Sequence, residues 1–160
     1  LPCVPSSLSL TPFYFFTFIL FPLNRKRNKM TKLIHTMIRV SDLTKSLKFY
    51  RQALELEVKN QYVFDDFTLT YLSNDSTDFE LELTHNHNVN QEYTHGNGYG
   101  HIAVSVDDIE SVHKKMTALN ANPSEVTTFH HQSEVLATFF FITDPDGYKI
   151  EFIQSKGRFA

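Results

Sequence analysis

Residues 101–108 read HIAVSVDD, and the stretch has a twin at residues 35–42, HTMIRVSD. In the first, Ile102, Val104 and Val106 alternate with His101, Ala103 and Ser105. In the second, Ile38 and Val40, with Ile34 before them, alternate with His35, Met37 and Arg39. A period of two belongs to a strand with one buried face. Seven positions separate His35 from Asp42, and seven separate His101 from Asp108. Ser41 or Asp42, and Asp107 or Asp108, are side chains suited to capping a helix by accepting from its free amides. The first predicted helix runs to about Leu54, with Leu43, Leu47, Tyr50 and Leu54 on one stripe. The second runs through about Asn120, with Ile109, Val112, Met116 and Leu119 inward.

Each predicted helix is followed by three extended segments. They fall near Glu57–Val63, Phe67–Ser73 and Phe79–Thr84 in the first half, and near Ser124–Phe129, Val135–Thr143 and Tyr148–Gln154 in the second. Each half closes on a strand with an acid between apolar residues, Leu81-Glu82-Leu83 and Ile150-Glu151-Phe152. The His-to-Glu spacing is 47 in the first half and 50 in the second. These registers predict an α+β fold of two paired βαβββ modules, residues 30–98 and 99–154, with 155–160 as a tail. The Asp144-Pro145-Asp146-Gly147 run supplies the turn before the last strand.

The remaining composition narrows the function class. The chain has 160 residues and 41% hydrophobic content, enough for a core. Its one cysteine, Cys3, forms no internal disulfide, which fits a reducing cytoplasm. Residues 1–29 differ from the rest: they hold four of the six prolines, four of the 15 basic residues and none of the 18 acids. Residues 30–160 are therefore left at a formal charge of −7, with no basic run to hold nucleic acid. The apolar run at residues 13–21 is far short of the roughly 20 residues a spanning helix needs. The charges of Arg25, Lys26, Arg27 and Lys29 follow it rather than precede it, unlike a signal peptide. The expectation is a translated leader or dispensable extension over 1–29, with Met30 as the working start and no membrane association.

A Glu flanked by core residues needs water or a counter-charge, because an unpaired buried carboxylate is costly. Duplication supplies two histidines and two glutamates at equivalent places: His35, Glu82, His101 and Glu151. If the two halves face a common concavity, all four converge. Imidazole and carboxylate donors suit a divalent transition metal such as Ni, Co, Zn, Fe or Mn. Taken singly, a histidine at a strand start or a glutamate in a strand is more often solvated. His85 and His87 after the third strand, His95 in the loop 86–98, His113 on the helix, and His130 and His131 in another loop are read as solvated.

The segments 34–40, 81–86, 99–106 and 144–151 together resemble glyoxalase I (lactoylglutathione lyase) of the vicinal-oxygen-chelate superfamily, over about 30–154. The resemblance implies metal ligation by His35, Glu82, His101 and Glu151. It also implies a homodimer whose sites take ligands from both subunits. The compact length resembles the nickel- or cobalt-activated branch, with zinc as the alternative metal. The implied reaction isomerises the hemithioacetal of methylglyoxal and glutathione to S-lactoylglutathione, with Glu151 as the base that moves the proton. Arg39 and Asn86 match residues that hold glutathione. One departure stands out: the cation- and glycine-bearing loop of the family is replaced by TTFHHQSE at residues 127–134. Other readings are a different metal enzyme of the superfamily, such as an acyl-CoA epimerase or thiol transferase, or a non-catalytic ligand-binding protein on the same scaffold.

Overall fold

Two capped helices set the frame of a computed structural model that describes residues 31–89 and 92–160. The expected leader lies outside the described residues, and the architecture below is that of the unit Leu33–Ala160. Strand β1 (His35–Arg39) leads into helix α1 (Leu43–Leu54), then β2 (Glu57–Val63), β3 (Phe67–Ser73) and β4 (Glu80–Asn86). The second half repeats the order with β5 (Ile102–Val106), α2 (Ile109–Ala118), β6 (Thr127–His131), β7 (Glu134–Thr143) and β8 (Lys149–Gln154). A short 3-10 turn at Gly157–Phe159 ends the chain.

The two sheets have the same topology, β1-β4-β3-β2 and β5-β8-β7-β6. In each, the first strand lies parallel to the last while the other pairs run antiparallel. The duplicated βαβββ reading holds. Asp42 and Asp108 are the helix caps, each accepting from the backbone N–H three residues on, of Lys45 and Ser111, at 3.0 Å. Such a bond satisfies one of the amides the first turn leaves free.

Boundaries differ from expectation in three places. Helix α2 stops at Ala118, and Leu119 is 39% exposed rather than inward. Asn120 there takes φ +55, and the Ala121 N–H donates to the Met116 carbonyl at 3.0 Å, a left-handed stop. Strand β4 runs on through His85 and Asn86, which pair with Thr68 and Phe67. Strand β6 begins at Thr127 and carries His130 and His131, expected in a loop, into a hairpin turned at Gln132-Ser133. Gln132 takes φ +56 there, a job that sequence rules assign to Gly or Asn.

The core lies where the helices meet the apolar sheet faces. Tyr50, Leu72, Leu83, Met116, Phe140, Ile150 and Phe152 are fully or almost fully buried, and the Phe140 and Phe152 rings stack at 4.9 Å. Side chains of like parity to Ile38, Leu81, Leu83, Ile150 and Phe152 therefore face inward. Those of opposite parity, including His35, Glu82 and Glu151, stand on the other face. The modules are tied by the Asp144–Gly147 turn. Buried Asp144 accepts from the Tyr50 hydroxyl at 2.7 Å, while Asp146 accepts from the Ser41 N–H at 2.9 Å and the Ser46 hydroxyl at 3.3 Å. Burial raises the Asp144 carboxyl above its ordinary pKa, and the Tyr50 hydrogen bond opposes that rise.

Candidate metal centre

In module one, Met37 on β1 pairs with Glu82 on β4; in module two, Ala103 on β5 pairs with Glu151 on β8. His35 and His101 each lie two residues before those partners, so each imidazole shares a face with its glutamate. The outcome is the same twice. His35 Nε2 lies 3.2 Å from Glu82 Oε2, and His101 Nε2 lies 3.1 Å from Glu151 Oε2. Both glutamate side chains are close to buried, at 10% and 13% exposure. The histidines are more open, at 36% and 44%. Each carboxylate thus has a polar partner, which accounts for an acid between core residues at both places.

The donor set fits a divalent transition ion. Two adjacent ligands held about 2.1 Å from one ion lie about 3.0 Å apart when they subtend a right angle. The observed separations match that bite. Nitrogen and carboxylate oxygen are the donors that such ions take.

Convergence of all four residues within one chain does not occur. Among the described residues, no group of three or more His, Cys, Asp or Glu side chains gathers closely enough to hold an ion. Each module offers one two-donor face, and the backbone registers that align His with Glu do so separately in each sheet.

The neighbours of the two pairs are alike in ring contacts and unlike in polarity. Tyr71, the cross-strand partner of Glu82, meets the His35 ring edge-on at 5.8 Å. Phe141, the partner of Glu151, meets the His101 ring at 5.5 Å. Burial first, then hydrogen bonding with Glu82, raises the Tyr71 pKa. The Thr84 hydroxyl donates to Glu82 Oε1 at 3.2 Å. Tyr71, Thr84 and Phe141 escaped the sequence reading; only the strand register, which aligns them with the glutamates, singles them out.

Arg39 pairs with Thr84 and stands on the His35 face, exposed. Asn86 has the parity of Glu82 and Thr84, and its amide donates to the Tyr93 hydroxyl at 3.1 Å. Three of the remaining histidines are engaged elsewhere. His87 Nε2 bonds the Thr68 hydroxyl at 2.8 Å and its Nδ1 the Asp65 carbonyl at 3.0 Å. His95 stacks on Tyr148 at 4.1 Å, and His113 bonds the Ser124 carbonyl at 2.9 Å. His130 and His131 lie on the exposed edge strand β6. No helix among the described residues is long and apolar enough to cross a membrane.

Comparison with known proteins identifies the family. Residues 32–152 match the family model described as the Glyoxalase/Bleomycin resistance protein/Dioxygenase superfamily. A lactoylglutathione lyase of Neisseria meningitidis is 43% identical over 130 residues, covering 78% of this chain and 91% of the relative. A probable lactoylglutathione lyase of Synechocystis is 41% identical, covering 79% and 97%. Among solved structures, the glyoxalase I of Leishmania major, described as trypanothione-dependent, superposes with a TM-score of 0.61 at 33% identity. That match covers 78% of this chain and 87% of the other. With two equivalent His–Glu faces on a duplicated βαβββ frame and relatives of this identity over nearly their whole length, the chain belongs to the glyoxalase I (lactoylglutathione lyase) family of that superfamily.

Proposed function

We propose that the protein is a metal-dependent lactoylglutathione lyase acting on the hemithioacetal of methylglyoxal and glutathione in the cytoplasm. The observation that carries this reading is the pair of equivalent His–Glu contacts at 3.2 and 3.1 Å, one per module. Four ligands are completed when the His35–Glu82 face of one subunit meets the His101–Glu151 face of another. Exposed apolar side chains on the edge hairpins, among them Tyr62, Phe64, Phe129 and Val135, support such a homodimer.

The reaction breaks a C1–H bond, forms a C2–H bond and is redox-neutral overall. The bound ion, nickel or cobalt by preference and zinc as the alternative, supplies a Lewis acid that offsets developing oxyanion charge. Glu151 accepts the C1 proton on its free carboxylate oxygen and returns it to C2, which requires reach and a conjugate acid close to the working pH. Glu82 stays in place on the other side. Arg39, on the His35 face, grips a glutathione carboxylate through its planar fork, and the Asn86 amide bonds the tripeptide backbone. The hairpin at 127–134 offers no cation, but Lys149, two residues before Glu151 on β8, stands on the Glu151 face. Its position supports Lys149, ahead of Lys156 and Arg158, as the cation that takes over a carboxylate contact.

The test is removal of metal and separate reloading with nickel, cobalt or zinc, followed by isomerisation assays with glutathione and other thiols. Metal-restored thioester formation is expected. Full activity in the stripped protein, or none with any metal and thiol, overturns the reading.

A further inference from the structure

The internal repeat contains its own control. Glu82 and Glu151 are structural equivalents with the same imidazole partner geometry and nearly the same burial, at 10% and 13%. Desolvation therefore does not distinguish them. Hydrogen bonding does. Glu82 has Oε2 on His35 and Oε1 under the Thr84 hydroxyl at 3.2 Å, with the Tyr71 ring as its direct cross-strand neighbour. The positions equivalent to Thr84 and Tyr71 in module two are Ile153, two residues after Glu151, and Phe141, its cross-strand partner. Neither carries a donor. Among the described residues, the one polar partner of Glu151 is His101.

We infer that Thr84 and Tyr71 are positioning residues that fix Glu82 as a permanent ligand, and that Phe141 and Ile153 keep Glu151 untethered so that it can leave and return with a proton. This rests on the metal-centre reading proposed above and adds to it the reason why one of two equivalent acids is the base. A carboxylate with both oxygens engaged loses the rotational freedom that proton transfer needs, whereas one with a free oxygen retains it. Outer partners of this kind orient ligands, and their loss typically weakens metal affinity or activity about 10- to 100-fold.

The experiment measures cobalt affinity by chelator competition, together with the cobalt absorption spectrum and steady-state kinetics. Thr84→Val, which keeps the shape and removes the hydroxyl, is expected to weaken cobalt binding about 10-fold or more and to alter the spectrum. Thr84→Ser restores the hydroxyl and is expected to recover most of that loss. Tyr71→Phe, on the more open side of the pair, is expected to weaken binding in the same direction and serves where Thr84→Val does not fold. The reciprocal double variant Phe141→Tyr/Ile153→Thr gives Glu151 the tether of Glu82. It is expected to bind cobalt as tightly as the parent or more so, while kcat falls about 10-fold or more with little change in KM. Parental cobalt affinity in both Thr84→Val and Tyr71→Phe overturns the tether, and full kcat in the double variant overturns the role of freedom at Glu151. His35→Ala separates the two levels: parental cobalt affinity in that protein overturns the metal centre itself.

Discussion

Glu151 is held by one imidazole and Glu82 by an imidazole and a hydroxyl, and in the proposed mechanism only Glu151 has to move. Glu151→Gln keeps a ligating oxygen and removes the basic one. Turnover is expected to fall about 10² to 10⁴-fold, with cobalt still bound, as measured by thioester formation beside metal content. His35→Ala removes a donor outright and is expected to lose bound metal and activity together, read by elemental analysis after dialysis. At this scale the sequence was informative about identity and silent about neighbours. His35, Glu82, His101 and Glu151 stand out because the repeat marks them twice. Thr84 and Tyr71 do not, because their role comes from a cross-strand register that no local pattern states. Whether the four ligands would meet within one chain or across two was not legible either: periodicity assigns a side chain to a face and says nothing about which faces meet.

Among the elements, the turn at Asp144–Gly147 does more than reverse the chain. Asp144 and Asp146 reach from module two to Tyr50, Ser41 and Ser46 around α1, directly after the strand that carries His35 and Arg39. Tyr50→Phe removes the donor to a buried carboxylate and is expected to cost about 1–3 kcal/mol by urea denaturation. The sign of its pH dependence follows from Asp144, whose pKa burial raises and the Tyr50 bond lowers. The native carboxyl takes up a proton more readily than the unfolded one, so the burial cost is fully present above its folded pKa and disappears below the ordinary value of 3.8. The deficit of Tyr50→Phe is therefore expected to be largest at neutral pH and to shrink on acidification through the carboxylate range. Gly147→Ala is expected to destabilise by about 1 kcal/mol or more, because φ is +88 there, a backbone conformation that strains any residue with a Cβ. The turn, the capped helices and all eight strands were legible from Pro, Gly, Asp and alternation. The ends of α2, β4 and β6 were not: Asn120 and Gln132 adopt left-handed backbone without being glycine, and β4 is lengthened by its partner β3.

At the scale of the unit Leu33–Ala160, duplication gives two His–Glu pairs on the faces opposite the core. The helices pack on the inward sheet faces, and the His–Glu pairs stand on the opposite faces. In the proposed dimer, an isologous contact presents each module to its counterpart and completes both pairs at once. That arrangement makes a direct test possible with two inactive variants carrying different affinity tags, His35→Ala and His101→Ala, co-expressed and purified as the mixed dimer. One of its two sites then carries both lesions and the other carries none, so the account predicts about half the parental turnover per dimer. Mixed dimers as inactive as either parent variant, or the absence of any mixed dimer, would contradict a metal centre built from the faces of two subunits.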